Sequence, residues 1–332
     1  MTAPAKEDEL RGGPRGDPRG GRLRVAIIAA SVLVLVACPA WGGSDARATL
    51  ILLAYHAAIA VMWNLLAGYA GLVTFGQQVF VGLGGYTLAV GCERFGLGVW
   101  PAFALAAVVA GVLAVPIGAL TFRLKGGYFA VGSWVVAEVF RLLFGTWGFV
   151  GNASGMFVRP ARSVDPWVIY YVAIGLLIGL VALMVGMLRA RPGLALMAIR
   201  DAEDAAASLG VHVWRTKLLA FVVAAAGTAL AAALITVQTP FIQPNAAFSI
   251  QWSAAASFMV VVGGLGTIEG PILGAAIYVV LQQQLGGNGA VHLIVLGVIS
   301  VAMMLIEPRG IAGLVRDRLG WTLFPVVRKP LY

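Results

Sequence analysis

Apolar runs of about 20 residues with almost no charge dominate the sequence. Six of them cover residues 25–38, 48–67, 99–122, 167–188, 218–237 and 290–306. An α-helix rises 1.5 Å per residue, so about 20 apolar residues span the roughly 30 Å hydrocarbon core of a bilayer. Charged residues make up 11% of the chain, against about 25% in a typical soluble domain. These runs predict an all-α, polytopic integral membrane protein.

Taken in order, the apolar segments predict about eight to ten transmembrane helices. They are expected at 24–41, 49–67, 74–92, 99–122, 127–145, 166–188, 215–237, 251–263, 270–286 and 290–306. The transmembrane domain should therefore cover residues 24–306. Residues 1–23 are rich in Gly, Pro and Arg and are expected to be a disordered basic cytoplasmic tail, because they cannot bury a core. Residues 307–332 are expected to form a cytoplasmic C-terminal tail.

The Lys and Arg residues are unevenly divided between the two sides of the predicted membrane domain. With a cytoplasmic N-terminus, 18 of the 23 lie inside: six in the tail, two after residue 122, five in 189–217 and five beyond 306. The outside has the other five, Arg47, Arg94, Arg141, Arg159 and Arg162. Cytoplasmic loops collect positive charge, so both termini are expected inside. The same rule accounts for the net charge of +9 without a nucleic-acid partner.

Two glycine-rich segments interrupt the apolar sequence at similar spacing. They are GYAGLVTFGQ (68–77), with Gly68, Gly71 and Gly76, and GGLGTIEGP (263–271), with Gly263, Gly266 and Gly270. Glycine-broken segments in matching positions of two halves are typical of a repeated transporter core. Two tight turns whose small residues allow close helix packing would give the same pattern, and both interpretations stay open.

The sequence lacks the residues that would let it use ATP itself. A phosphate-binding P-loop ends in Gly-Lys followed by Ser or Thr. The four lysines, Lys6, Lys125, Lys217 and Lys329, are followed by Glu, Gly, Leu and Pro. Zinc-hydrolase and Ser-His-Asp patterns are also missing. The sequence therefore predicts neither an enzyme nor a metal site.

Few polar or reactive side chains lie inside the predicted spans. Glu138 is the one carboxylate well inside a span, and Arg141 follows it at helical spacing. That spacing favours an internal ion pair over a proton relay. Cys38 and Cys92 match no metal-ligand spacing, and whether they pair stays open.

The loop at 190–214 is polar enough to leave the bilayer. Pro192-Gly193 suits the start of a helix and Gly210 suits its end. Between them Arg200 is spaced to face Glu203 and Asp204. An apolar stripe is expected from Leu194, Met197, Ala198 and Leu209. The loop is predicted to be a short amphipathic helix, which without a partner would fit a membrane-surface helix.

Five segments resemble the branched-chain amino-acid ABC permeases, in particular their LivM-type subunits. They are NLLAGYAGLVTFGQQVFVGLGGYTLA (64–89), RLKGGYFAVGSWVVAEVFRLL (123–143), AIRDAEDAAASLGVHVWRTKLLAF (198–221), VVGGLGTIEGPILGAA (261–276) and EPRGIAGL (307–314). In the third, DAAASLG (204–210) is similar to the family's EAA-three residues-Gly loop, with Asp204 in the Glu position. The later Leu-Pro part of that motif is not apparent here. The resemblance covers most of residues 50–315.

The resemblance implies a permease subunit of an ABC importer in a bacterial inner membrane. The expected cargo is a branched-chain or related apolar amino acid, and urea or short amides are the alternative. Implied partners are a sister permease subunit, two cytoplasmic ABC ATPase subunits and an extracytoplasmic solute-binding protein. ATP and magnesium would be bound by the ATPases and not by this chain. A self-sufficient channel or ion-coupled carrier is the alternative from another class.

The resemblance also implies roles for single residues. In that family the EAA loop is a coupling helix that docks on the ATPase, and here it maps to Arg200, Asp204, Ala205, Ala206 and Gly210. Ala205 and Ala206 are expected to lie against the ATPase. The substrate path is expected near polar groups of the broken or central segments, each of which could equally join two helices. These groups are Thr74, Gln77, Gln78, Tyr128 and Ser133.

Overall fold

The computed structural model describes residues 39–286, 289–307 and 309–319 of the 332-residue chain. The chain divides into two compact units, Met1–Arg47 and Ala48–Tyr332. Helices dominate the described residues, which confirms the predicted all-α class. The expected N-terminal tail, and most of the segment expected at 24–41, lie outside the described residues.

Thirteen α-helices lie within the described part of the chain. They are α1 (Pro39–Asn64), α2 (Gln78–Glu93), α3 (Val99–Thr121), α4 (Gly127–Thr146), α5 (Pro166–Arg189), α6 (Arg191–Asp201), α7 (Glu203–Ser208), α8 (Val213–Gln238), α9 (Pro244–Ala247), α10 (Gln251–Gly263), α11 (Gly270–Leu285), α12 (Gly289–Ile306) and α13 (Gly310–Leu319). A five-residue π-helix, Leu65–Tyr69, continues α1. Two short antiparallel strands, β1 (Met156–Phe157) and β2 (Phe241–Ile242), pair with each other.

Seven helical stretches of the described residues are long and apolar enough to cross a membrane. They are Gly43–Tyr69, Val99–Thr121, Gly127–Thr146, Pro166–Arg189, Val213–Gln238, Pro244–Gly263 and Val291–Leu314, the last of which runs over residue 308, which lies outside the described residues. The protein is therefore a multi-pass membrane protein. The predicted segments at 74–92 and 270–286 coincide with α2 and α11, which have 16 residues each. Sixteen residues span only about 24 Å. α2 begins directly after the first glycine-broken segment, and α11 begins at the end of the second.

The helices of the second unit pack through small side chains and direct large ones outward. In α3, Ala102, Ala106, Ala110 and Ala114 are fully buried, while Val108 and Val112 are exposed. This helix packs against α2 and α8. Lipid is as apolar as Val, so membrane helices gain stability by close approach of small residues and leave the larger ones to the bilayer.

Two ends of this unit can be told apart by their connections. We call the end that contains α6 and α7 the loop end, and the end that contains β1 and β2 the strand end. The carboxyl end of α2 lies at the strand end, because the Glu93 carboxylate accepts from the Arg159 backbone N–H at 2.7 Å. Arg94 Nε also donates to the Phe149 carbonyl there at 3.1 Å.

We predict that Gly84→Ala destabilises the protein, whereas Gly175→Ala does not. A Cβ on Gly84 would lie 2.6 Å from Ala229 Cα, and overpacking of this kind typically costs about 1–3 kcal/mol. A Cβ on Gly175 in α5 would meet no atom within 4 Å. The thermal unfolding midpoint of the detergent-solubilised protein should fall only in the first variant. Equal midpoints would show that α2 and α8 do not depend on this close approach.

Candidate functional site

The polar loop folds into two helices instead of the single one expected. α6 ends at Asp201 and α7 begins at Glu203, because Ala202 has the extended angles φ −158° and ψ 93°. Gly210 follows α7 with a φ of 85°. That left-handed conformation is one that glycine adopts without strain.

The buried face of α6 is not the predicted one. Its buried residues are Gly193, Leu196 and Ile199, which face α5, α8 and the π-helix. The expected apolar stripe is wrong, because Leu194 is exposed and Leu209, beyond α7, is 85% exposed. The sequence allowed either face of α6, and contacts with other helices decide between them.

α7 is fastened to the helical unit by Ala206 and Glu203. The side chain of Ala206 is buried, and its carbonyl accepts from the Val211 N–H at 3.1 Å. Glu203 pairs with Lys217 of α8 at 2.7 Å. The expectation that Ala206 lies against a partner is therefore wrong. Exposed side chains of α7 belong instead to Asp204, Ala205, Ala207 and Ser208.

Arg200 connects the loop to the first glycine-broken segment. Its Nη1 donates to the carbonyl oxygen of Gly68 at 2.8 Å, and its Nε donates to Asp201 at 2.9 Å. The predicted approach of Arg200 to Glu203 and Asp204 is wrong, because the break at Ala202 removes the helical spacing. Gly68 lies in the last turn of a helix, where carbonyl oxygens have no intrahelical partner and a cation is favourable.

The two glycine-broken segments contact each other at the same place. A Cβ on Gly68 would lie 2.7 Å from the backbone nitrogen of Gly266, so only glycine allows this approach. Asn64, which is fully buried, donates through Nδ2 to the Thr267 carbonyl at 2.7 Å and accepts from the Gly266 N–H at 2.9 Å. We call Asn64, Gly68, Arg200, Gly266 and Thr267 the glycine junction.

The other predicted glycines surround the glycine junction or lie beyond it. Gly71 has a φ of 68°, and a Cβ there would lie 3.3 Å from Arg200 Cα. Gly76 lies against the Ser133 backbone, and Gly263 lies against Gly270. Sequence reasoning did not select Asn64. Its signal was a polar side chain within an apolar run, four residues before Gly68, the first of these glycines.

Four of the five predicted path residues form a buried polar cluster between helices. Thr74, Gln77, Gln78 and Ser133 are all buried. Thr74 Oγ1 donates to Ser133 Oγ at 3.0 Å, and the Phe75 N–H donates to the same oxygen at 3.2 Å. Tyr128 is 80% exposed and is not among these buried side chains, and its place in the substrate path stays a prediction.

Two further residues complete the cluster and were missed from the sequence. Gln77 donates to Thr228 of α8, and Ser253 of α10 donates to Gln78. Each glutamine still has one buried atom without a hydrogen-bond partner, Gln77 Oε1 and Gln78 Nε2. Buried polar atoms of this kind can bind a water molecule or a polar ligand.

Metal ligation and thiol chemistry have little support in the described residues. No group of three or more His, Cys, Asp or Glu side chains there could hold a metal ion. Cys92 is buried and forms no disulfide with another described residue. Cys38 lies outside the described residues, so the possible pairing of these two cysteines stays open.

Comparison with known proteins points to one family. The family model described as "Branched-chain amino acid transport system / permease component" matches residues 46–306. The high-affinity branched-chain amino acid transport system permease protein LivM of Escherichia coli (strain K12) is 29% identical over 321 residues, with 87% of this chain and 75% of the relative covered. The protein of the same name from Salmonella typhimurium (strain LT2) is 28% identical, with 77% and 67% covered. No solved structure matches the chain.

We predict that Arg200→Ala loosens α6 from the rest of the protein. A hydrogen bond from a charged donor contributes about 1.5–3 kcal/mol, and partial exposure of Arg200 favours the lower value. Backbone amides of 193–200 should then exchange with solvent about tenfold faster in hydrogen-exchange mass spectrometry. Asp201→Ala is the matched control, since it removes the other partner of Arg200 but leaves the bond to Gly68. Unchanged exchange in Arg200→Ala would contradict the prediction.

Proposed function

Because the chain belongs to the family of branched-chain amino acid transport system permease components, we propose that it is the subunit through which an ABC importer passes branched-chain or related apolar amino acids. ATP would be hydrolysed, with magnesium, by two separate cytoplasmic ATPase subunits. A sister permease and an extracytoplasmic solute-binding protein would complete the importer. We place the complex in a bacterial inner membrane, with both termini cytoplasmic.

The observation that most supports this proposal is the hydrogen bond from Arg200 to Gly68. It joins an exposed polar loop to a buried segment where two membrane helices are interrupted. An importer needs such a connection, because ATP binding occurs on another chain and its effect must reach the spans. Moving a two-state equilibrium from one side to the other takes several kcal/mol of differential binding energy, about 5.5 for a complete shift.

The exposed side of α7 offers a surface on which an ATPase could dock. Asp204, Ala205 and Ala207 are exposed there, and Leu209 extends beyond them. Leu209 adds one large apolar side chain to a surface that is otherwise made of small and polar residues. Meanwhile Ala206, Lys217 and Glu203 fix α7 to α8, so force on the exposed side would be transmitted to a membrane helix.

The polar cluster is the proposed part of the substrate path closest to the glycine junction. Thr74 and Gln77 lie in the segment that follows Gly71 and precedes α2. Rearrangement of this segment would change which hydrogen bonds Ser133 and Thr228 make. The unpartnered amide atoms of Gln77 and Gln78 would then serve a passing polar group.

We predict that Ala205→Trp prevents coupling, because a large side chain cannot fit a groove that accepts alanine. Membrane abundance should stay normal, while co-purification of the ATPase and amino-acid uptake should fall at least about tenfold, the equivalent of roughly 1.4 kcal/mol of docking energy. Ala104→Trp, at an exposed position of α3 on the opposite side of its alanine stripe, is the matched control. Normal association and uptake in Ala205→Trp would rule out docking through α7.

We also predict that the loop end lies in the cytoplasm. In a background without Cys38 and Cys92, Ala207→Cys should resist a membrane-impermeant thiol reagent applied to intact cells. It should react after the membrane is permeabilised, because Ala207 is exposed. Ready labelling in intact cells would reverse the orientation and place α7 out of reach of an ATPase.

A further inference from the structure

A charged pair in α4 is only partly covered by the rest of the chain. Arg141 donates through Nε to both carboxylate oxygens of Glu138 at 2.9 Å, and through Nη2 to one of them. Its Nη1 also donates to Asn245 Oδ1 in α9 at 2.6 Å. The pair is internal to the chain, as the sequence suggested. The side chains of Arg141 and Glu138 are nevertheless 31% and 38% exposed.

The position of this pair along the helix makes its exposure unusual. Glu138 lies eight residues before Thr146, the last residue of α4, so it is about 12 Å from the helix end. Ionisable side chains at such depth are costly in lipid and almost always face the protein interior or a water-filled cavity. The exposed part of the pair therefore requires a polar environment that this chain alone does not enclose.

The other flank of α4 has the opposite character. Val139 is 57% exposed and Leu143 is 52% exposed, as suits lipid. Residues at 138 and 141 lie on a different side of the helix from residues at 139 and 143, since successive residues differ by about 100°. α4 thus exposes Val139 and Leu143 on one side, and on another it exposes a pair of opposite charges with the apolar side chains of Trp134 and Leu142 one turn away.

We propose that Glu138 and Arg141, with Asn245, bind the charged groups of a zwitterionic amino acid as it crosses the membrane. This inference rests on the proposed function. Glu138 would accept from the ammonium group, and Arg141 would donate to the carboxylate. The described contacts use Nε and one proton on each Nη of Arg141, and a guanidinium has five N–H donors, so two remain for a ligand.

Charge balance favours this class of ligand over an ion. The Glu138–Arg141 pair has no net charge, and a zwitterion has none either. Binding of a zwitterion therefore adds no net charge within the membrane, whereas binding of an ion would. An apolar side chain would also find space nearby. Ala246 and Ala247, the two residues that follow Asn245, line a mostly apolar cavity of about 290 Å³ together with Ile242 and Trp252.

The first test asks whether the charged flank faces water. The complete importer is reconstituted in proteoliposomes with Glu138→Cys or Val139→Cys, in a background without Cys38 and Cys92. A charged methanethiosulfonate reagent reacts with thiolates, which form in water. Glu138→Cys should react at least tenfold faster than Val139→Cys. Equal, slow reaction of both variants would overturn the proposal.

The second test measures transport with an uncharged isostere. Glu138→Gln should lower the maximal rate of leucine uptake at least tenfold at saturating binding protein, with normal ATPase co-purification. Val139→Gln, the adjacent control, should keep most of the rate. Unchanged leucine uptake in Glu138→Gln would overturn this proposal. The proposed function would still stand if the wild-type importer takes up leucine. Absence of leucine uptake by the wild-type importer would instead overturn the proposed function and, with it, this inference.

Discussion

A backbone carbonyl at the end of a broken membrane helix must find a hydrogen-bond donor, because the lipid around it offers none. In this protein that carbonyl belongs to Gly68, and its donor is the side chain of Arg200, which lies outside the helix. The same condition explains Asn64, whose amide satisfies the Gly266 N–H and the Thr267 carbonyl at once. Interrupted helices are therefore stable here only while the loop end and both glycine-broken segments stay together. A loop that could otherwise be variable becomes part of the membrane domain.

Small residues give this arrangement its rigidity. Side chains larger than glycine at position 68 would separate the two segments, and Gly84 plays the same part between α2 and α8. Membrane helices have little hydrophobic gain from packing on each other, so close contact and internal hydrogen bonds hold them together. The buried cluster around Ser133 and Thr74 adds such bonds between α4 and the segment before α2. Displacement of one segment is thus resisted by contacts in several helices.

The sequence was sufficient for features that depend on one property of one segment. Long apolar runs located helices at nine of the ten expected segments, of which seven are long enough to cross a membrane, and Gly210 was correctly placed after a helix. The sequence was insufficient where contacts between distant segments determine the local structure. Nothing in RDAED indicates that the chain extends at Ala202, and this break redirects Arg200 from Asp204 to a carbonyl 132 positions earlier. The burial of Ala206, likewise, depends on how α7 lies relative to the rest of the unit.

Structural continuity links the glycine junction with the charged flank of α4. Gly68, Gly71 and Thr74 follow one another along the chain. The Thr74 hydroxyl donates to Ser133 Oγ, and Ser133 lies on α4, the helix that also contains Glu138. Contact alone does not couple two sites, since coupling needs an element with two arrangements that both sites bias. We propose the segment 70–77 as that element. It is an irregular stretch between helices, and its Gly71 has a positive φ. Arg200 donates to the Gly68 carbonyl just before it, and the Phe75 N–H within it donates to Ser133 Oγ. If a change at the loop end lengthened the bond from Arg200 to Gly68, the bond from Phe75 to Ser133 would determine the position of α4. The proposed substrate contact on α4 would move with it.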